Sequence, residues 1–208
     1  MSDYLSDDEQ LAKLKGWWES YGTMLIAGSV AALLVFGGWR WYQSSLEART
    51  LLGSDLYAEY LQADADRRAE LAETIIDDAG GTAYPAFVLL GQAEAAVAAG
   101  KAADAEPLLR RAIDAASGDS LADTARLRLA RVLFELDRED EALATLAQVR
   151  SSGFRIQAAE LKGDIHLARG ERALAHESYV AAKSYVQAGD QRPVLEMKIA
   201  DTADASGS

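Results

Sequence analysis

Hydrophobic positions divide the chain into a short apolar run near the N-terminus and a long amphipathic remainder. The run from Ser20 to Trp39 holds 20 residues without a formal charge. As a helix, a run of this length covers about 30 Å, which is the thickness of a bilayer's hydrocarbon core. The pattern predicts one membrane-spanning helix within residues 20–42.

Aromatic side chains flank the apolar run on both sides. They are Trp17, Trp18 and Tyr21 before it and Trp39, Trp41 and Tyr42 after it, and they include every tryptophan of the chain. Such rings concentrate at membrane–water interfaces because they combine an apolar body with a polar group. A buried helix of a soluble core is the alternative, but it rarely carries all the tryptophans in two symmetric clusters.

The residues around the run favour an uncleaved signal anchor over a cleaved signal peptide. A signal peptide needs a basic leader and small residues at its cleavage site. Here the leader is acidic at Asp3, Asp7 and Asp8, and the run ends in the bulky sequence Trp39–Tyr42. The flanking charges do not show which end of the predicted span faces the cytoplasm. Cytoplasmic flanks usually carry an excess of Lys and Arg, but here two basic residues precede the run and two follow it closely.

From Gln43 onward apolar residues recur at helical spacing. Three stretches align on their small residues with steps of 37 and 33 residues, close to the period of a tetratricopeptide repeat. The aligned columns are Ala93, Ala96, Gly100, Ala105, Leu109 and Ala112, then Ala130, Leu133, Asp137, Ala142, Leu146 and Val149, then Gly163, His166, Gly170, Ala175, Tyr179 and Ala182. The predicted fold is all-α: a single N-terminal transmembrane helix followed by a tetratricopeptide-like α-solenoid over residues 43–208.

Two of these columns have a specific structural role. Antiparallel helices approach closely only where side chains are small, and the turn between them favours left-handed backbone angles. The predicted contacts are Ala105, Ala142 and Ala175, and the predicted turns are Gly100, Asp137 and Gly170. Further helices are predicted to cap the stack, at Leu46–Leu61, at Ala65–Ala79 before Gly80-Gly81, and at Pro193–Ala200, with residues 201–208 frayed.

Composition excludes several functional classes. With 21 Lys and Arg against 33 Asp and Glu, the net charge is −12, which repels a nucleic-acid backbone. The absence of cysteine from the sequence removes disulfides, thiolate nucleophiles and cysteine-ligated metals. We therefore expect proteins and a membrane as partners, and no nucleic acid or small-molecule substrate.

The two histidines are the best candidates for catalysis or metal binding. His166 falls in an interior column, and Asp164, two positions away, projects from another side of the helix. His176 lies beside Glu177 on a predicted solvated face, and neither histidine has the partner spacing of a zinc motif. Acidic runs such as 139–141 lack the glycine and terminal glutamate of a calcium loop. We expect no enzyme, metal or cofactor.

A resemblance to a known family rests mainly on the leader and the span. The matching residues are Asp8-Glu9-Gln10-Leu11, Leu14-Lys15, Trp17-Trp18 and Gly38-Trp39-Arg40-Trp41-Tyr42, with Arg192-Pro193-Val194-Leu195-Glu196-Met197-Lys198-Ile199 near the C-terminus. Over nearly its whole length, the chain resembles the bacterial ancillary subunits of the SecYEG translocon.

The resemblance implies a cytoplasmic segment at 1–19, an inner-membrane span at 20–42 and a periplasmic domain at 43–208. It also implies protein partners: the Sec translocon, a membrane-anchored periplasmic prolyl isomerase or chaperone, and secreted chains. The expected function is to connect secreted proteins entering the periplasm with chaperones. A structural scaffold or stress-signalling regulator that never contacts translocating chains stays open as the alternative.

Repeat geometry predicts a partner-binding concave face on the first helix of each pair. The candidate residues are Phe87, Leu90, Glu94, Val97, Thr124, Leu127, Arg131, Phe134, Gln157, Glu160, Asp164 and Leu167. The open alternative is ordinary core, because aromatic and leucine stripes at helical spacing are usually buried. It applies to Phe87, Leu90, Leu127 and Phe134.

Overall fold

The computed structural model describes residues 7–187 and 189–203, which form α-helices, one 3-10 helix and no strand. The helices are α1 (Asp7–Gln62), α2 (Ala65–Asp78), α3 (Tyr84–Ala98), α4 (Ala102–Ala115), α5 (Asp119–Glu135), α6 (Glu139–Leu146), α7 (Arg155–Ala168), α8 (Arg172–Ser184) and α9 (Pro193–Ala203), with the 3-10 helix at Ser152–Phe154. The all-α prediction is confirmed. Residues 1–6 of the predicted cytoplasmic segment and 204–208 of the predicted frayed tail lie outside the described residues.

The chain divides into two compact units, Met1–Ala48 and Arg49–Ser208, with the boundary inside α1. In the first unit α1 exposes its apolar side chains, and Leu34 for example is 72% exposed. The helix is long and apolar enough to cross a membrane, and only 6% of its most apolar stretch is buried. A core helix of a soluble protein would bury these side chains, so the exposure argues for the predicted membrane span.

The predicted start of a separate helix at Leu46 is wrong, because α1 continues without a break through this region. The Ser44 hydroxyl donates to the Trp41 carbonyl at 3.0 Å. The Ser45 hydroxyl donates to the Tyr42 carbonyl at 2.9 Å. Serine starts a helix when its hydroxyl caps a free amide, whereas a hydroxyl bonded back to the preceding turn leaves the helix intact.

The second unit contains three helical hairpins, α3–α4, α5–α6 and α7–α8. Each hairpin turns at a residue with left-handed backbone angles: φ is 72° at Gly100, 57° at Asp137 and 76° at Gly170. Among the described residues, Asp137 is the one non-glycine residue with a positive φ. Aspartate tolerates this conformation because its short polar side chain forms local hydrogen bonds. The three predicted turns are confirmed.

Small residues allow the two helices of each hairpin to pack closely. Ala105, Ala142 and Ala175 are fully buried, as predicted for helix contacts. A Cβ atom added at Gly163 would lie 2.3 Å from Cε1 of Tyr179, so this position has room for hydrogen alone. The sequence columns therefore correspond to real contacts between helices.

Further helices close the two ends of the stack. Leu71 and Ile75 of α2 pack with Val88 of α3, and α2 ends one residue before the predicted boundary. At the other end, Leu195 of α9 joins a cluster with Tyr179 of α8. The helix α9 extends past the predicted end at Ala200 to Ala203, because Thr202 is buried and its hydroxyl donates to the Lys198 carbonyl at 2.8 Å. The prediction that residues 201–203 are frayed is therefore wrong.

The middle hairpin departs from the aligned columns. They place Val149 on the second helix of that hairpin, but α6 ends at Leu146 and Val149 lies in the following loop. The cause is the buried carboxylate of Asp123 at the start of α5. One of its oxygens accepts hydrogen bonds from the backbone N–H groups of Arg150 at 3.0 Å and Ser151 at 2.7 Å. These bonds satisfy the loop's amides without further helix.

Candidate partner-binding surface

The predicted strip of twelve residues does not form one continuous accessible surface. Leu90 and Leu127 are buried in the largest core cluster. The exposed members are Phe87, Glu94, Val97, Arg131 and Leu167, and the half-buried members are Thr124, Phe134, Gln157, Glu160 and Asp164. The core alternative is therefore correct for the two buried leucines, which are not available to a partner.

The two phenylalanines of the strip lie at the edge of the core. Phe134 is half-buried and packs against the largest core cluster. Phe87 is 40% exposed, and its ring centroid lies 6.0 Å from that of Tyr57 and 6.2 Å from that of Tyr84. Packing against other aromatic rings restricts the orientation of Phe87 while leaving part of its ring exposed.

Three of the predicted residues, Glu94, Val97 and Arg131, come together at a groove between α3 and α5. This α3–α5 groove has a volume of about 470 Å³. Its remaining lining residues are Ala93, Ala98, Leu109, Arg128, Val132 and Glu135. Aliphatic side chains form most of the lining, and the four charged residues come from α3 and α5. Apolar surface with a few polar groups is the usual composition of a binding site.

Among the charged residues of the groove, the predicted strip did not include Arg128 and Glu135. They stand three positions before and four positions after Arg131, so the three charged side chains share one face of α5. The helical spacing of these charges was the signal that could have found them. Arg128 Nη1 donates to Glu94 Oε2 at 3.1 Å, which links α5 to α3 across the groove. Both side chains are well exposed, so the pair contributes no more than about 1 kcal/mol to stability.

Arg131 is the basic group of the groove that stays available. Its side chain is exposed, and within the described part of the chain it has no carboxylate partner. A guanidinium presents several N–H donors, which match the carboxylates and backbone carbonyls of a bound polypeptide. The groove can therefore hold apolar side chains on its lining while Arg131 donates to the polar groups beside them.

Asp164, a predicted member of the strip on α7, forms hydrogen bonds to the neighbouring helices. Its Oδ1 accepts from the Tyr179 hydroxyl at 2.7 Å and from Lys198 Nζ at 2.5 Å. Burial raises the pKa of Tyr179, and the hydrogen bond to Asp164 raises it further. These contacts join α7 to α8 and α9, so Asp164 stabilises the end of the stack.

The neighbours of Asp164 on α7 are also separated from the α3–α5 groove. Glu160 lies beside a hollow of about 270 Å³ that Lys198 and Pro193 also line. Gln157 keeps a buried Oε1 atom without a hydrogen-bond partner in the described structure. The predicted strip is therefore not continuous along α7, and the members that line one groove, Glu94, Val97 and Arg131, lie on the first two hairpins.

The two histidines make structural contacts. His166 is buried, as predicted, with Nδ1 2.6 Å from Glu171 Oε2. His176 is half-buried with Nδ1 3.1 Å from the Thr202 hydroxyl, so its predicted solvated position is wrong. Across residues 7–187 and 189–203, no group of three or more His, Asp or Glu side chains could hold a metal ion.

Comparison with known proteins agrees with this architecture. The family model described as a tetratricopeptide repeat-like domain matches residues 15–204. This match defines the chain as a tetratricopeptide-like protein, a class built from stacked helical hairpins. No solved structure matches the chain at a significant level.

Three relatives named "Ancillary SecYEG translocon subunit" align over nearly the full length. The relative from Haemophilus influenzae is 29% identical over 96% of this chain and 97% of its own length. The relative from Aggregatibacter actinomycetemcomitans is 31% identical over 92% and 96%, and that from Escherichia coli is 24% identical over 96% and 98%. The chain belongs to the family of ancillary SecYEG translocon subunits.

Proposed function

We propose that this protein is a membrane-anchored, non-enzymatic interaction module that serves the Sec translocon at the bacterial inner membrane. Its similarity to the ancillary subunits extends over the apolar helix as well as the repeats. The exposed apolar face of α1 supports a role as the anchor, because water would not stabilise that surface. The tetratricopeptide-like hairpins supply surfaces for protein partners.

The proposed topology has residues 1–19 in the cytoplasm, 20–42 in the membrane and 43–208 in the periplasm. It rests on the resemblance of the leader and the span to the family. The chain has no native cysteine, so one introduced cysteine gives an unambiguous label. In intact cells a membrane-impermeant thiol reagent should leave Ser2→Cys unlabelled. Ser206→Cys should react once the outer membrane is permeabilised. Labelling of Ser2→Cys but not of Ser206→Cys would contradict the proposed topology, because it would place the N-terminus in the periplasm.

The proposed task is to connect secreted chains with periplasmic chaperones, including a membrane-anchored prolyl isomerase. The α3–α5 groove is the observation that carries this proposal. A chain leaving the translocon is unfolded, so it exposes apolar side chains and unpaired backbone carbonyls. The aliphatic lining of the groove suits the side chains, and the Arg131 guanidinium suits the carbonyls.

Photo-crosslinking in cells tests this task directly. A photoreactive residue replaces Val97 inside the groove, and the matched control replaces Ala103, an exposed residue of α4 outside the groove lining. We expect secreted chains and chaperones to crosslink at position 97 and much less at position 103. Crosslinks to fixed protein partners alone would support the scaffold alternative, and equal capture at both positions would contradict a role for the groove.

A further inference from the structure

The middle hairpin leaves a gap that the first hairpin does not have. The helix α6 has 8 residues where α4 has 14, and the six missing residues correspond to about 9 Å of helix. Among consecutive helices from α2 to α9, the pair α6 and α7 has the fewest contacts. A hollow of about 830 Å³ opens between α6, α7 and α8. We call it the α6–α7 notch, and its apolar wall includes Leu143, Leu146, Ala158, Ala159, Leu174 and Tyr185.

The aligned repeats show what the notch leaves uncovered. Corresponding positions of α5 and α7 are 33 residues apart, so Ala158 corresponds to Ala125 and Lys162 to Leu129. Ala125 and Leu129 are buried in α5, against which α4 packs. Ala158 is only half-buried, and Lys162 is exposed. The face of α7 that holds Ala158 and Lys162 is therefore less covered than the corresponding face of α5, which lies in a core cluster with Leu109 and Ala112 of α4.

Two basic side chains at the notch have no carboxylate partner in the part of the chain that the structure describes. They are Arg155 and Lys162, which both line the hollow. They stand seven positions apart on α7, which is about two turns, and so lie on the same side of the helix. The Arg155 guanidinium lies 5.6 Å from the centre of the Tyr185 ring, which holds it at the edge of the notch.

The notch thus combines an apolar wall with two available positive charges, in a chain whose net charge is −12. A ligand complementary to both features carries apolar side chains and carboxylates. The shape favours a helix, because the partly covered face of α7 corresponds to a face of α5 that is buried in one core cluster with residues of the helix α4. Carboxylates about two turns apart on such a helix would reach both basic groups.

We propose that the α6–α7 notch binds an acidic amphipathic helix of a partner protein. The apolar side of the bound helix takes the place of the missing turns of α6, and its carboxylates pair with Arg155 and Lys162. The notch shares no lining residue with the α3–α5 groove. The protein therefore has a second docking surface, whose occupancy does not depend on the function proposed for the groove.

Charge reversal on the full-length protein in detergent micelles tests the electrostatic half of this proposal. The probe is a fluorescein-labelled amphipathic peptide with leucines on one face and two glutamates seven positions apart, and the reference peptide replaces both glutamates with lysine. Fluorescence anisotropy measures both dissociation constants. We expect the double variant Arg155→Glu, Lys162→Glu to weaken binding of the acidic peptide by at least about tenfold. The lysine peptide should bind the double variant better than the original protein.

Two control variants separate the notch from other surfaces. Arg111→Glu changes an exposed arginine of α4, and Arg131→Glu changes the α3–α5 groove. Neither should alter affinity for the acidic peptide. Equal binding of the two peptides, or affinity that survives the double reversal, would overturn the proposal. Loss of binding with Arg131→Glu alone would also overturn it, because the groove would then be the site.

Steric filling of the notch tests the apolar half. Ala147 is exposed and lines the notch, so Ala147→Trp should block the acidic peptide without lowering the melting temperature.

In cells, a photoreactive residue at Leu174 should crosslink to an acidic amphipathic helix of another protein, identified by sequencing the crosslinked peptide. A crosslink that joins two copies of this chain would overturn the proposal in favour of a homodimer interface.

Discussion

The two units of the chain place similar apolar side chains in opposite environments. In the first unit Leu34 and Phe36 are exposed on α1, whereas in the second unit Leu133 and Ile165 are completely buried. Apolar surface is stable against water only when it is covered, and it needs no cover in a hydrocarbon solvent. The comparison teaches that the exposure of the apolar side chains distinguishes the two units, since residue type alone is the same in both.

Polar groups differ between the units in the same way. The apolar run of the first unit has no formal charge, whereas the second unit buries the carboxylate of Asp123 completely. Burial by itself would raise the pKa of Asp123, but hydrogen bonds from Ser151, Arg126 and Arg150 lower it below its usual range. The second unit can thus bury a charge because enough donors surround it.

The largest expected effect removes an equal volume from a leucine in each unit. Leu133→Ala leaves a cavity in the core of the second unit, so it should lower the free energy of unfolding by about 2 to 5 kcal/mol. Leu34→Ala should change the same transition by less than about 0.5 kcal/mol. Urea unfolding of the full-length protein in micelles, followed by circular dichroism, measures both. Equal changes in the free energy of unfolding for the two variants would contradict the conclusion that the two leucines lie in different environments.

The next effect comes from adding volume. Ala142 is a fully buried contact between α5 and α6, so Ala142→Leu should destabilise the second unit by about 1 to 3 kcal/mol through overpacking. Ala103→Leu places the same side chain on the exposed side of α4 and should be nearly neutral. A neutral result at Ala142 would mean that the aligned columns do not mark helix contacts.

A smaller effect, about 1 to 2 kcal/mol near neutral pH, is expected for Asp123→Asn. Asparagine keeps the shape but loses the charge that the surrounding donors stabilise. Because the folded-state pKa of Asp123 is lowered, its contribution is present above the unfolded pKa of about 3.9 and is lost as pH falls through the folded value. Unfolding curves at several pH values should converge for the two proteins in acid. A difference independent of pH would exclude the charge as its cause.

The smallest effect concerns the ion pair across the α3–α5 groove. Glu94→Gln removes one charge of an exposed pair, so stability should change by less than about 1 kcal/mol. The same substitution frees Arg128 for the backbone carbonyls of a bound chain, so crosslinking of secreted chains at position 97 should not fall. Calorimetric melting and photo-crosslinking in cells measure the two quantities. A large loss of stability would show that this pair belongs to the folding core.

The sequence was most informative for features that depend on residues close together along the chain. The left-handed turns at Gly100, Asp137 and Gly170 were predictable because few residue types tolerate a positive φ. The end of α6 was not predictable, because it depends on hydrogen bonds from Arg150 and Ser151 to a carboxylate more than 25 residues away. Helical periodicity alone favoured continuation to the next column.

The candidate surface shows the same limit. Periodicity selected the right helices of the first two hairpins, and Glu94, Val97 and Arg131 do line one groove. It failed at Leu127, which is buried, and at Arg128, the next residue, which lines the groove. One position on a helix is a rotation of about 100°, so a small error in the assumed face exchanges a core residue for a surface residue.

By itself, the sequence determined the apolar span, the hairpin turns, the small-residue contacts and the family, because each depends on residue types at short, fixed spacing. Tertiary structure alone decided the continuity of α1, the length of α6, the α3–α5 groove and the α6–α7 notch. Those features depend on which side chains from distant segments meet, and on which helix faces remain uncovered after packing. A linear pattern specifies the faces a helix has, and only the packed chain specifies which of them a neighbour covers.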